Sequence, residues 1–182
     1  MRHRSAILIA ALALGLSGAA AYQNVWPERT DRGDAHWQEI AWPFPRDGWP
    51  SGRAFRCDGC AAPIELYVRA KIGFCNCDTG VADDDEVDRV ADLDLISERF
   101  APLSPGKVIH IADMPGRLRS YDLEMPYGAR RAAIGIAVSR RCDLLVAVAQ
   151  GRARVDELQQ AALQFLKTSE LKHWMMAALS RR

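Results

Sequence analysis

Four of the five cysteines lie in two close pairs, and these pairs are the residues whose type and spacing most directly suggest chemistry. Cys57 and Cys60 form a Cys-x2-Cys motif, Cys75 and Cys77 form a Cys-x-Cys motif, and Cys142 stands alone. Sulfurs at such spacings serve in thiol–disulfide exchange, in binding of a soft metal ion, or in covalent cross-links. Each use requires a different local setting, so the flanking sequence helps to separate them.

The setting of Cys57 and Cys60 argues against thiol–disulfide exchange. A reactive Cys-x2-Cys motif normally begins a helix, whose dipole lowers the pKa of the first thiol. Here a strand pattern follows the motif, and Asp58 places a negative charge beside the thiol. Ala61 occupies the position at which a c-type haem site has its histidine. A thiol–disulfide oxidoreductase is therefore retained only as an alternative.

A soft-metal site is the second alternative, with Cys57, Cys60, Cys75 and Cys77 as ligands for zinc or copper. The sequence between the pairs, Ile64–Gly73, predicts one extended strand, which would span ~30 Å at ~3.3 Å per residue. Sulfurs that bind one ion must lie ~4 Å apart. A periplasmic zinc or copper carrier would therefore need this strand to break, and "IELYVRAK" has no Gly or Pro.

Disulfide bonds are the favoured interpretation of all five cysteines. Cys57 with Cys60 is the better-supported pair, because its loop lies where the chain turns into a strand. Cys75 or Cys77 pairs either with its neighbour or with Cys142, at the tip of the last predicted hairpin. Five is an odd number, so one thiol is left over or links two chains.

The N-terminal segment predicts export, which supplies the oxidising conditions that disulfides need. Arg2, His3 and Arg4 precede an apolar run, and small residues end at Ala21. This pattern is typical of a secretory signal peptide, here residues 1–21, and predicts a periplasmic protein. The alternative is an inner-membrane tether by residues 6–21, facing the periplasm. No later segment is expected to cross the membrane, because none is long and apolar enough.

The charge balance limits the classes of partner. Removal of Arg2 and Arg4 from the 24 basic residues leaves 22 against 23 acidic ones. A balanced surface has no electrostatic footprint for nucleic acid or an anionic membrane. We therefore expect no nucleic-acid partner, and the expected partner is a periplasmic protein or small ligand of unknown identity.

Hydrophobic periodicity predicts the elements that must position these residues. Residues 22–36 are predicted to be a flexible lead and residues 37–182 a single domain. Ile64–Lys71 alternates as a strand with one buried face, and a short helix from about Asp84 to Asp92 follows the Cys-x-Cys motif. Segments 108–112 and 118–124 flank "DMPGR" as a hairpin.

The remaining pattern completes the predicted fold. Two apolar strands, "RRAAIGIAVSR" and "DLLVAVAQG", meet between Arg140 and Asp143. Helical periodicity runs from Val155 to Leu166, and a second helical stretch runs from about Glu170 to Leu179. The order predicts an α+β fold: an antiparallel sheet of about six strands, with a short helix after the Cys-x-Cys motif, and a C-terminal helix packed on one face. Any strand in the proline-rich residues 37–52 is expected at an edge.

Charged clusters carry weaker hypotheses. The acidic run from Asp83 to Asp94 lacks the glycine of an EF-hand loop and is interpreted as a solvated helix face. Arginines at 117, 119, 130, 131, 140 and 141 either receive an anionic ligand or, as we favour, keep strand ends soluble. No catalytic residue is predicted, because the sequence has no G-x-S-x-G elbow and no phosphate-binding loop.

Two resemblances add to this interpretation. The sequence "CDLLVAVAQGRARVDELQQAALQFLKTSEL" resembles the closing strand and long helix of PsbP-like α/β/α domains. That resemblance implies an exported, non-enzymatic accessory or binding subunit. The segment from Lys71 to Asp84 resembles the KIGFCNC-x-TGVADD core of small exported, uncharacterised proteobacterial proteins. The expected function is thus a disulfide-braced, exported accessory or binding protein without catalytic activity.

Overall fold

The computed structural model describes residues 35–73 and 77–180. The predicted signal peptide (1–21), residues 22–34 of the predicted lead, and Cys75 lie outside the described residues. Among the helices that are described, none combines the length and apolarity that a bilayer crossing requires.

An antiparallel sheet forms the centre of the α+β fold. Its eight strands, within the described ranges, are β1 Trp37–Ile40, β2 Arg53–Cys57, β3 Ile64–Lys71, β4 Phe100–Pro102, β5 Lys107–Ile111, β6 Met114–Glu124, β7 Arg130–Arg140 and β8 Asp143–Gly151. They are ordered β1-β2-β3-β8-β7-β6-β4, and β5 pairs with β6 on the same side as β4. Every pairing is antiparallel. The long strands β3, β8, β7 and β6 therefore occupy the middle of the sheet.

Helices cover both faces of this sheet. The α-helices are α1 Asp84–Val90, α2 Val155–Leu166 and α3 Ser169–Ala178. Buried residues of α2 and α3 pack on one face against apolar side chains of β2, β3, β7 and β8. On the opposite face, Val87 and Val90 of α1 join Leu93 and Tyr121 in a second apolar cluster. The sheet is thus buried from both sides, which explains why all nine residues of β8 are buried.

The predicted helices are confirmed. Asp83 caps α1 by accepting a hydrogen bond from the backbone N–H of Glu86 at 2.9 Å. Asp84, Asp85 and Glu86 lie in the first turn, where negative charge favours the helix dipole. The two C-terminal helical stretches form two consecutive helices, α2 and α3, where the predicted fold counted a single C-terminal helix.

The prediction of about six strands is too low. β2 is five residues long and β4 is three residues including Pro102, so neither shows enough alternation to be recognised. The predicted hairpin is present, but its turn consists of Ala112 and Asp113, both at positive φ, so that only the first residue of "DMPGR" lies in the turn and the others belong to β6. Pro115 falls inside β6, at a position where β7 pairing has not yet begun, so its missing N–H costs no β6–β7 bond.

The prediction that β3 buries only one face is also wrong. Ile64, Leu66 and Val68 lie in the helix-covered core, as the alternation predicts. Residues 41–52, here called the strap, link β1 to β2 and cover the other face of β3. Phe44 of the strap stands edge-on to Tyr67 with ring centroids 4.7 Å apart. At Gly52 an added Cβ would lie 2.1 Å from the carbonyl oxygen of Val68, so the strap approaches β3 too closely for a side chain.

Candidate functional site

The cysteine pairs form two disulfide bonds in the described chain. Cys57 is bonded to Cys60 with a Cα–Cα distance of 5.6 Å, which confirms the better-supported pair. Cys77 is bonded to Cys142 with a Cα–Cα distance of 4.3 Å, so the alternative left open for the second bond resolves toward the hairpin tip. Cys75 lies outside the described residues.

The two bonds lie at opposite ends of β3. Cys57 pairs with Ile64 at the start of the strand, whereas Leu144, two residues after Cys142, pairs with Lys71 at its end. Eight extended residues hold these ends ~23 Å apart. A single ion bound by both pairs would require reduction of both bonds and a break in β3. Across the described ranges, no three His, Cys, Asp or Glu side chains converge as a metal-binding group.

The Cys57–Cys60 bond has the surroundings of a core cross-link. Cys57 is the last residue of β2 and is completely buried in the helix-covered core, against which Cys60 packs. A thioredoxin-type thiol instead lies exposed at a helix N-terminus, where it is stabilised as a thiolate. The location therefore favours bracing over the oxidoreductase alternative.

The Cys77–Cys142 bond borders an open groove of about 490 Å³. The groove, here called the hairpin groove, is lined by residues 77–80, residues 112–115, residues 139–141 and Met176 of α3. Its volume falls within the range of about 300–1,000 Å³ that is typical of small-molecule sites. The disulfide joins two of its walls, the loop at 77–80 and the β7–β8 hairpin.

Unusual backbone conformations cluster around this groove. Among the described residues, four non-glycine residues have positive φ, and three of them, Ala112, Asp113 and Arg141, line the groove. Gly80 also has positive φ, and a Cβ there would lie 2.2 Å from Ser139 Oγ. Ala112, Asp113 and Arg141 belong to the two-residue turns of the β5–β6 and β7–β8 hairpins, in which positive φ is usual, although it costs a non-glycine residue free energy. The fold thus maintains the shape of the groove at a local cost.

The strap-covered face contains a buried network of charges centred on Arg69. Arg69 donates to both oxygens of Asp92, at 2.5 and 2.6 Å, and to both oxygens of Asp47, at 2.9 and 2.7 Å. Lys71 Nζ lies 2.7 Å from Asp92 Oδ1 and donates to the carbonyl of Val90 at 2.8 Å. The network ties the strap and the segment after α1 to β3.

A second ionic cluster holds α1 on β6. Arg117 Nη2 donates to Asp84 at 2.6 Å, and Arg119 Nη1 donates to Asp88 at 2.6 Å. Tyr121 donates its hydroxyl to Asp88 at 2.5 Å. The interpretation of these acids as a solvated helix face is therefore wrong. Arg117 and Arg119 are likewise bound by α1 rather than left at an exposed strand end.

The electrostatics of both networks favour fixed charges. Hydrogen bonds from Arg69 lower the pKa of Asp47 to about 2. Burial lowers the pKa of the Arg69 guanidinium, but hydrogen bonds to Asp92 and Asp47 outweigh it and leave the pKa above its ordinary value. Burial, together with the hydrogen bond to Asp88, raises the pKa of Tyr121. At neutral pH Asp47 stays ionised while Arg69 and Tyr121 keep their protons, and such fixed protonation states suit these groups to positioning elements.

Sequence reasoning did not identify the Arg69 network or the hairpin groove. The alternation of β3 placed Arg69 and Lys71 on the polar face, and that signal was correct. The alternation of β3 does not predict that the strap and the segment around Asp92 cover that face, because both segments are distant in sequence. The groove depends on four segments distant in sequence, and only the bond between Cys77 and Cys142 hinted that two of them meet.

Comparisons with known proteins yield little. No protein-family model matches the chain, and no curated protein matches it significantly. Among solved structures, it is similar to the crystal structure of PA94 from Pseudomonas aeruginosa, a protein of unknown function. The identity is 15%, the TM-score is 0.37, and the match covers 75% of this chain and 83% of that chain. At that TM-score the likeness carries no conclusion about this chain.

Proposed function

We propose that this chain is an exported, disulfide-braced accessory or binding protein that acts without catalysis and binds its ligand in the hairpin groove. The N-terminal pattern of residues 1–21 supports export, and two disulfides fit a protein that matures under oxidising conditions. The resemblance to PsbP-like domains points to the same class. The proposal depends most on one observation, the groove itself.

The hairpin groove has the properties expected of a preformed ligand site. It has the volume of one, about 490 Å³. The Cys77–Cys142 bond fixes one corner, and turns with positive φ at Ala112, Asp113 and Arg141 shape its rim. A site whose walls are fixed before binding loses less conformational entropy when the ligand enters. Covalent bracing at this location therefore has a functional rationale beyond stability.

The covalent state of the cysteines distinguishes this proposal from its two alternatives. Protein purified from the periplasm without reductant should contain one free thiol per chain and no stoichiometric metal. Four protected thiols, released on chelation together with zinc or copper, would establish the soft-metal carrier instead. Reduction of a disulfide substrate that disappears in Cys57→Ser would establish the oxidoreductase.

Binding in the groove is tested with three ligands of equal shape: 4-phenylbutyrate, 4-phenylbutanol and 4-phenylbutylamine. Saturation-transfer NMR should detect at least one of them on the wild-type protein. Thr79→Trp, which fills the groove, should abolish the signal, whereas Asp85→Trp on the exposed side of α1 should retain it. Absence of all three signals, or an unchanged signal in Thr79→Trp, would refute the groove as the site.

A further inference from the structure

Arg140 lines the hairpin groove, and its cross-strand neighbour Asp143 accepts a hydrogen bond from the N–H of Gly73 without forming an ion pair with Arg140. Arg140 ends β7, and its Nη1 lies 3.8 Å from the sulfur of Met176 across the groove. In the described part of the chain, no Asp or Glu forms an ion pair with it. Most arginines of the sheet differ, since Arg53, Arg69, Arg117, Arg119 and Arg130 all pair with carboxylates.

The other charges of the groove have partners. Asp113 extends into solvent and lies 3.8 Å from Lys172 Nζ. Asp78 and Arg141 each have an interaction partner in the protein. Arg140 is therefore the charged group of the groove whose guanidinium forms no ion pair with the described residues. Such a fork of N–H donors matches the two oxygens of a carboxylate.

Beside the hydroxyls of Thr79 and Ser139, the rest of the lining contains apolar and sulfur-bearing residues. Pro115 forms the exposed part of the wall contributed by β6, next to buried Met114, and Met176 lies opposite on α3. Thioether side chains adapt to irregular apolar shapes. The disulfide of Cys77 adds a further weakly polar surface at one end. An anion that consists only of a charged head would leave these surfaces without a partner.

We propose that the hairpin groove binds a small organic carboxylate, with the carboxylate on Arg140 and an apolar body against Pro115 and Met176. This assignment rests on the proposed function, because it names the ligand class of the same groove. The sequence pattern leaves two roles for the arginines at strand ends, binding of an anionic ligand and solubility. For Arg140 this assignment favours binding of an anionic ligand. Arg130, at the other end of β7, pairs with Asp122 and shows the solubilising alternative.

The test uses the same three ligands, so that the class of ligand and the existence of the site are judged separately. Titration calorimetry on the full exported chain should show 4-phenylbutyrate binding at least tenfold more tightly than the alcohol, and no binding of the amine. A charge-assisted hydrogen bond contributes about 1.5–3 kcal/mol, which corresponds to about a tenfold to hundredfold change in affinity. Equal binding of acid and alcohol would overturn the inference while leaving the groove as a binding site.

A matched pair of variants assigns the anion to Arg140. Arg140→Gln should weaken 4-phenylbutyrate binding at least tenfold and leave alcohol binding unchanged. Arg152→Gln removes the same charge from an exposed position just beyond the opposite end of β8 and should retain wild-type affinity. If both variants weaken binding equally, net charge is responsible and the assignment is wrong. The thermal midpoint should be unchanged in both, because neither side chain is buried.

Discussion

Arg69 holds a positive charge at a position where the side chain is only 3% exposed. Removing a guanidinium from water costs several kcal/mol unless its donors are satisfied. Here Asp92 and Asp47 approach it from two directions, each through both oxygens. Lys71, also buried, shares Asp92 and lies 5.8 Å from the ring of Trp49. The network therefore favours one position of the strap on β3, because a displaced strap would leave Arg69 with Asp92 as its carboxylate partner and without Asp47.

Asp47 gives this network a measurable pH dependence. Its pKa in the folded protein is about 2, below the value of ~3.9 in an unfolded chain. Its contribution to stability is therefore complete above the unfolded pKa and is lost as pH falls from about 4 through about 2. Because the side chain is 28% exposed, solvent screening limits that contribution to about 1 kcal/mol.

We expect Asp47→Asn to lower the free energy of unfolding by about 1 kcal/mol at pH 7, because the ion pair with Arg69 is lost. The gap from wild type should close as pH approaches 2. Urea unfolding at a series of pH values measures it. Asp94→Asn is the control, since Asp94 is exposed and forms no ion pair among the described residues. A gap that stays constant with pH would contradict the role given to Asp47.

At the scale of elements, the two disulfides differ in the length of the chain segment that each closes into a loop. The Cys57–Cys60 bond spans a separation of 3 residues, and the Cys77–Cys142 bond spans 65. Loop-closure entropy in the unfolded chain grows with this separation, from about 2 kcal/mol for the short loop to about 4 kcal/mol for the long one. The second bond encloses α1, β4, β5, β6 and β7, so it constrains much of the sheet before folding.

In a Cys75→Ser background, we expect Cys77→Ala/Cys142→Ala to reduce the free energy of unfolding by about 4 kcal/mol. The pair Cys57→Ala/Cys60→Ala should reduce it by less, about 2 kcal/mol plus the packing lost at buried Cys57. Guanidinium unfolding without reductant compares the two variants. A larger loss from the short loop would mean that packing at Cys57, and not loop closure, dominates.

How far an element can be predicted depends on how local its determinants are. The strand β3, the cap of α1 at Asp83 and the helix α2 follow from local periodicity and capping, and the sequence predicted them. The strands β2 and β4 are too short to carry a period and exist because neighbours pair with them. Arg140 and Met176 meet only because α3 packs back across the hairpin. No local pattern contains that information.

At the scale of the whole molecule, protection from exchange should follow position in the sheet. β8 is buried along its entire length between β3 and β7. Its amides have no route to solvent short of global unfolding. β1 is a four-residue edge strand that, within the described chain, pairs only with β2 and packs on the core mainly through Trp37, so it can open at a lower cost than the central strands. The free energy of opening should therefore rise from β1 to β8.

Hydrogen exchange can show whether the Cys77–Cys142 bond acts on the whole molecule or only on the groove. In the Cys77→Ala/Cys142→Ala variant, protection of β8 should fall by the same free energy that denaturant unfolding measures, about 4 kcal/mol. Protection of β1 should not change, because β1 opens locally at the far edge of the sheet. Loss confined to residues 77–80 and 139–143, with β8 unaffected, would contradict a global role. The bond would then serve the groove alone, as a local clamp on two of its walls.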